Sequence, residues 1–213
     1  MTTVTAEIST SLDGYVAGPN ASLENPLGEG GERLHEWAIA TKTFREQHGM
    51  DGGETGPDDE LFAESVARQG AVVMGRKMFS GGAGPWADDP NPNGWWGDEP
   101  PFHKPVFVLT HHEREPLVLG DTTFHFVTDG IASAVEQARA AAGEKDVHVA
   151  GGAEAIQETI RAGLLEELTI HLTPILLGGG VPLLAGLGAG GFAQIRAVGS
   201  PAGVAHLTYR ISS

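Results

Sequence analysis

The chain has 213 residues, 40% of them hydrophobic and 19% charged, an ordinary make-up for one globular domain that can bury about 70% of its unfolded surface unaided. Cysteine is absent, which excludes disulfides, thiolate–zinc sites and a cysteine nucleophile. Thirteen basic against 28 acidic residues leave a net charge of −15, so no nucleic-acid partner is expected; no apolar run approaches the ~18 residues of a membrane span, and the opening MTTVTAEIST lacks the features of a signal peptide, so a cytoplasmic location is expected.

Thr3 to Ser9 alternates, with Val4, Ala6 and Ile8 on one face, and predicts a strand. Ser11-Leu12-Asp13-Gly14 is a turn signal, after which Tyr15-Val16-Ala17-Gly18 briefly resumes the pattern. A Gly-, Pro- and Asn-rich loop over 18–32 leads to a predicted helix from Arg33 to His48, with Leu34, Trp37, Ala38 and Phe44 roughly on one face. A second helix opens at Pro57, followed by Asp58, Asp59 and Glu60, and stops at Gly70.

Ala71-Val72-Val73-Met74 is a short apolar run that reads as a strand buried on both faces, ending at Gly75. Residues 80–104 contain no predicted regular element, and a loop of that length inside a compact domain is usually functional. Strands are predicted over Val106–Thr110, Thr123–Thr128 and Val147–Ala150, with an alanine-rich helix over Ile131–Ala142 and another running to Arg161. Leu168 to Leu177 reads as a strand ahead of a glycine run at 178–180. Gly203 to Ile211 alternates, with Ala205, Leu207, Tyr209 and Ile211 on one face, and closes the chain. Strands alternating with helices predict a single α/β domain over 1–213, its mostly parallel central sheet flanked by helices and ending in an antiparallel edge.

Two junctions share one design: Val73-Met74-Gly75-Arg76-Lys77 and Val149-Ala150-Gly151-Gly152-Ala153 each pass from strand through glycine into a helix. A helix N-terminus offers free N–H groups, and glycine lets a ligand approach the backbone, so the pair suits two phosphates of a dinucleotide; equally, glycine may serve only to turn the chain. Neither junction carries the G-x-G-x-x-G pattern, and the spacing Gly70 to Gly75 with Arg76-Lys77 fails as a P-loop, because Gly70 precedes the strand and Met78 stands where Ser or Thr should bind magnesium. Arg76, Lys77, Lys104, His111, His112 and Arg114 lie at or near the ends of two strands. If those strands are neighbours, this is a positive patch suited to an adenosine 2′-phosphate; otherwise it is a scattered solvated surface.

No metal site is expected. His111 and His112 are consecutive on a strand and point to opposite faces, and Asp89 to Gly94 matches only the first half of a calcium loop whose twelfth position is Pro100. Trp86, Trp95 and Trp96 on the long loop suggest a wall of a substrate pocket, a satellite core or a subunit contact. Asp13 is the most plausible single catalytic carboxylate, its alternative role being that of a turn residue before Gly14.

Ser11–Gly18, Val73–Phe79, Pro105–His111 and Ala150–Ala153 together resemble the dihydrofolate reductase superfamily, and Gly163–Leu168 with Thr173–Gly180 resembles its RibD C-terminal reductase branch. The resemblance covers nearly the whole chain and implies the dihydrofolate reductase-like fold with hydride transfer from NADPH. It implies Gly75, Arg76 and Lys77 beside the cofactor phosphates, with Arg76 on the 2′-phosphate; Thr110 and His111 at the adenosine; Gly151, Gly152 and Ala153 on the diphosphate; and Val16 and Ala17 lining the nicotinamide pocket. It also implies a homodimer joined through Leu168–Leu177 and the following glycine loop. No carboxylate aligns with the pterin-binding acid, so folate is not the expected substrate. The expectation is a reductase of a small heterocyclic or carbonyl-type acceptor. Its alternatives are the 5-amino-6-(5-phosphoribosylamino)uracil reductase of riboflavin biosynthesis and a nucleotide-binding module without turnover.

Overall fold

The computed structural model describes residues 2–212. Its strands are β1 (Val4–Thr10), β2 (Tyr15–Ala17), β3 (Gln69–Gly75), β4 (Pro105–Leu109), β5 (Leu117–Leu119), β6 (Thr122–Val127), β7 (Asp146–Gly151), β8 (Glu167–Leu172), β9 (Val181–Pro182), β10 (Phe192–Gly199) and β11 (Ala205–Ile211). Its helices are α1 (Glu36–Ala40), α2 (Lys42–Gln47), α3 (Pro57–Arg68), α4 (Arg76–Ser80), α5 (Ile131–Ala142) and α6 (Ala153–Arg161), with 3-10 turns at Gly31–His35 and Trp86–Asp88. The main sheet has the order β10-β11-β8-β1-β7-β3-β4-β6-β5, and β2 pairs with β9 separately. This is the predicted α/β class, with a mostly parallel sheet and an antiparallel edge. Two compact units divide the described residues, the first holding 2–6 and 69–167, the second 7–68 and 168–212.

In the first unit β7, β3, β4 and β6 run parallel, and β5 closes the edge antiparallel to β6. Ala71 to Met74 are at most 1% exposed, as the continuous apolar run predicts for a strand covered on both faces. One side of the core joins Val72, Met74, Val106 and Val108 to Phe79 and Phe124. Helix α5 contributes a stripe of Ala134, Val135, Ala138 and Ala142. Gly70 allows its end to come close, since a Cβ there would meet the Ala142 carbonyl oxygen at 2.4 Å.

In the second unit β10 and β11 form an antiparallel hairpin with an irregularity between Gln194 and Arg196. Trp37 and Ala38 of α1 pack with Val204, and Phe62 of α3 joins them. The predicted helix over Arg33–His48 is interrupted. Thr41 is extended, at φ −69° and ψ 148°. Its hydroxyl donates to the Ala38 carbonyl at 2.7 Å and accepts from the Phe44 N–H at 3.3 Å, so one side chain closes α1 and caps α2.

The strand predicted to reach Leu177 ends at Leu172, because Thr173 turns its N–H and hydroxyl to the Thr10 carbonyl, each at 2.8 Å. Ala205, Leu207, Tyr209 and Ile211 share one face of β11 and are half-buried, whereas the opposite face is buried at His206, 1% exposed, and exposed at Arg210. Polar partners inside satisfy His206.

Thr41→Ala removes the cap shared by α1 and α2. Chemical denaturation should show a loss of about 1 kcal/mol, within the ~0.5–2 kcal/mol range of such caps; an unchanged midpoint would mean that tertiary packing alone holds the break.

Candidate cofactor edge and acidic cleft

Parallel pairing decides what the first unit can bind. β7, β3 and β4 are neighbours with Met74 opposite Gly151 and Gly75 opposite Leu109, so their carboxyl ends form one edge. Gly75, Thr110 and Gly151-Gly152 leave the sheet there, side by side, as in the crevice where open α/β sheets bind ligands. The Gly151–Gly152 peptide is cis, and Gly151 has φ +123°. A Cβ built on Gly152 meets nothing within 4 Å, so the space over it is open. No side chain caps the nine-residue helix α6 that follows, which leaves the first-turn N–H groups directed outward. Thr110 is buried, with its hydroxyl accepting from the His112 N–H at 3.2 Å, while His111 and Lys77 are exposed.

Arg76 behaves otherwise than the sequence suggests. Its side chain is buried and stacks on Trp86, with Cζ 3.4 Å from the ring centroid. The guanidinium donates to the Ser80 hydroxyl and pairs with the Asp89 carboxylate; Ser80 in turn donates to Asp89 at 2.7 Å, and the Asn91 N–H does so at 2.8 Å. Burial alone would raise the Asp89 carboxyl, but the Ser80, Asn91 and Arg76 donors together hold it below the usual range. With its charge neutralised inside, the Arg76 side chain is not available to a 2′-phosphate. The cation instead anchors the long loop.

That loop folds back on its own unit and contains the short turn Trp86–Asp88 that the sequence did not announce. Trp86 donates to the His112 carbonyl at 2.9 Å and meets Phe126 edge-on at 4.8 Å. Trp96 packs against Phe102 at 4.9 Å, and both tryptophans lie on the apolar core of the unit. Trp95 is half-buried, its N–H directed to the Phe79 carbonyl. Of the three roles open to Trp86 and Trp96, the structure shows packing on the core.

In the second unit Val16 and Ala17 are buried in β2, which pairs with β9. Asp13 is at the surface and accepts from the N–H groups of Gly178 (2.7 Å) and Leu177 (3.2 Å). The Ser11 side chain first, and then these two amides, hold its carboxyl below the ordinary value. Its contacts tie the turn to the loop at 177–178, the structural role that was its alternative in the sequence.

The same unit has a cleft of about 570 Å³ whose lining includes Trp37, Pro174 and Ile175 together with Glu36, Glu54, Asp58 and Asp59, opposed by Arg33. Behind it His206 and His171 lie buried, a pair that sequence spacing does not reveal, being 35 residues apart. The only hint was a histidine in a β11 run whose pleat brings it inward. Among the described residues no group of three or more His, Asp or Glu is placed to hold a metal ion, and no helix is long and apolar enough to cross a membrane.

The sequence model of the RibD C-terminal domain matches residues 2–202. The uncharacterised protein YyaP of Bacillus subtilis is 25% identical over 188 residues, spanning 83% of this chain and 77% of that protein. A candidate riboflavin biosynthesis protein from Shewanella sp. PV-4 superposes with a TM-score of 0.65 at 24% identity, over 99% of each chain. The bifunctional diaminohydroxyphosphoribosylaminopyrimidine deaminase/5-amino-6-(5-phosphoribosylamino)uracil reductase of Thermotoga maritima gives 0.56 at 14% identity, covering 99% of this chain and 57% of that one.

Asp89→Asn strips Arg76 of its buried counter-charge, for which the expected loss is about 3–5 kcal/mol at neutral pH. Because the folded carboxyl is depressed, its contribution is fully present above the unfolded value of about 3.9 and disappears as pH falls through the lower folded value. Urea titrations should therefore show a constant gap between wild type and variant down to about pH 4 and a narrowing gap below it. A gap that does not depend on acid would assign the loss to packing rather than to the ion pair.

Proposed function

The chain belongs to the RibD C-terminal domain family of reductases, and on that premise we propose that it is an NADPH-dependent oxidoreductase acting on a small heterocyclic or carbonyl-type acceptor. The observation that carries the cofactor assignment is the carboxyl edge of β7, β3 and β4. It combines an unfilled space over Gly152, an uncapped α6 and a threonine-ended strand on one line of the sheet. These features fit a dinucleotide phosphate.

On this reading the amides of Gly152, Ala153 and the residue after them receive the diphosphate, where the positive end of the helix favours a doubly charged group. Gly75 allows backbone approach, a Cβ there standing 3.8 Å from the Gly151 carbonyl oxygen. Thr110 and His111 flank the adenosine. With Arg76 occupied by Asp89, the 2′-phosphate falls to exposed Lys77 and His111. For the nicotinamide the family resemblance implies Val16 and Ala17, which are apolar and buried within their own unit. The cofactor when bound supplies hydride; the protein supplies position, exclusion of water and a proton.

The cleft bears on the acceptor. Glu36, Glu54, Asp58 and Asp59 against the single Arg33 repel a sugar phosphate and suit a neutral or amino-bearing ring resting on Trp37 and Ile175. This favours a phosphate-free acceptor over the ribosylamino-uracil phosphate of the riboflavin pathway. A homodimer is part of the proposal. Leu176, Val181, Leu184, Phe192 and Ile195 are exposed by 37–68%, and Phe192 and Ile195 lie on β10, the edge of the sheet, where unpaired backbone invites a partner. A cytoplasmic location accords with a reductase of a diffusible substrate.

Fluorescence titration tests the cofactor. Gly152→Ala, and more strongly Gly152→Val, should weaken NADPH binding at least tenfold with little change in thermal midpoint. Lys77→Ala should weaken NADPH by roughly tenfold and NADH little, as loss of a charge-assisted contact implies. Equal binding of both nucleotides by the wild type would remove the 2′-phosphate assignment. Binding without oxidation by any acceptor would favour a nucleotide module.

Light scattering at micromolar concentration should give twice the chain mass. Phe192→Lys with Ile195→Lys should return it to the monomer mass. A monomeric wild type would end the dimer assignment.

A further inference from the structure

Four titratable side chains of the second unit stand in line. His206 Nε2 lies 2.7 Å from the Asp58 carboxylate, and His206 Nδ1 lies 2.7 Å from His171 Nδ1. His171 Nε2 in turn faces the Glu7 carboxylate at 3.7 Å. His206 and His171 are 1% and 6% exposed, whereas the two ends reach solvent, Glu7 at 25% and Asp58 at 18%. Asp58 also lines the acidic cleft. Trp37 sits against both imidazoles, at 4.5 Å and 4.9 Å, and its indole N–H is held by Ser9 at 3.0 Å. His35 also lies near: burial first, and then the charge of His171, lower its pKa.

A ring-to-ring contact between two Nδ1 atoms needs one N–H and one lone pair, which restricts the neutral pair to two arrangements. In the first, Glu7 is protonated, His171 carries its proton on Nδ1 and donates to His206, and His206 donates from Nε2 to ionised Asp58. In the second, every proton has moved one place: from Glu7 to His171 Nε2, from His171 Nδ1 to His206 Nδ1, and from His206 Nε2 to Asp58. Both rings are neutral before and after, and the net change is one proton moved from Glu7 to Asp58. The Glu7 contact is longer than a hydrogen bond, and the relay requires the carboxylate to close on His171 Nε2. Burial, ahead of the opposing pull of Asp58, lowers the His206 pKa, which favours these neutral arrangements over an imidazolium.

We propose that Glu7, His171, His206 and Asp58 are a proton relay, which delivers a proton to Asp58 on the cleft wall, where it is available to a substrate seated in the cleft. This rests on the reductase reading. It makes Asp58 the catalytic acid and the two histidines positioning residues that carry its proton. Trp37 keeps the rings edge-aligned and dry, and Glu7 reloads from solvent.

The decisive experiment is ring-nitrogen NMR of the full chain with labelled histidine. The expected result at neutral pH is a pair of neutral rings with averaged shifts, their Nδ1–H populations summing to one. Asp58→Asn should alter the shifts of His171, which it does not touch. Rings each locked in one tautomer, or a His171 indifferent to Asp58→Asn, would overturn the relay.

In parallel, NADPH fluorescence titration tests the reading beneath it. Absence of binding would overturn the catalytic role, whatever the rings show. With any acceptor that is turned over, Asp58→Asn and His171→Gln should each lower kcat at least tenfold. NADPH affinity should stay within twofold, and the solvent isotope effect should change from multi-proton to single-proton. Unchanged kcat in both variants would overturn the relay and leave the cofactor assignment standing.

Discussion

The parallel pairing of β7, β3 and β4 is the constraint on which the candidate cofactor edge depends. Parallel strands point their carboxyl ends the same way, and their register aligns Gly151, Met74 and, one residue on, Gly75 with Leu109. Three connections far apart in sequence therefore leave the sheet at one level. A one-residue slip would exchange the faces of the strand and draw the glycines out of line. What fixes the register is the apolar run Ala71–Met74, buried on both faces, together with the α5 stripe that Gly70 admits to close contact. Binding geometry here is a by-product of packing: the residues that would meet a phosphate are not those that set its position.

Charge follows a similar division of labour. The chain has 13 basic residues for 28 acidic ones, so each cation near a phosphate site matters, and one of the most suggestive, Arg76, is turned inward. Desolvating a guanidinium demands a partner and further donors or acceptors, and Asp89 with Ser80 and Trp86 supplies them. The outcome is a loop of otherwise unfavourable length held to its own unit by one ion pair and by tryptophans that rest on the core. An anchor of this kind also orders Asn91 and, through Trp86, the backbone at His112, one residue from exposed His111. Arg76 can thus influence the position of His111 without touching it.

The fold was legible in the sequence wherever one period dominated. The α5 and α3 helices, the β3 run and both strand-to-glycine junctions follow from residues close together in the chain, and so did the family resemblance. Thr41 was not legible as a break, because the apolar spacing of Leu34, Trp37, Ala38 and Phe44 continues through it; only the two hydrogen bonds of its hydroxyl show two helices. The burial of His206 on β11 was not legible, because hydrophobicity alone ranks Leu207 and Tyr209 above it. A buried histidine is readable only with its partners, and Asp58 and His171 come from α3 and β8. Arg76 failed for the same reason: a helix and a loop separate the exposed cation suggested by the sequence from the carboxylate at Asp89 that neutralises it.

Sequence reasoning therefore recovers sites made of backbone more readily than sites made of side-chain pairs. Glycine at a strand end carries its function in its own identity: no Cβ, and a free approach to the amide. A carboxylate or an imidazole acquires its function from what faces it. Asp13 and Asp58 illustrate the difference within one unit. Asp13, conspicuous beside Gly14, is bound by two loop amides and a serine that keep it ionised, which suits a tether. Asp58, inconspicuous among the acids that open α3, meets a buried ring with a second ring behind it and a cleft in front, which suits an acid that is discharged and reloaded. The two share a side chain and differ in whether their donors are fixed amides, which can only stabilise the anion, or an imidazole, which can give its proton up and take another.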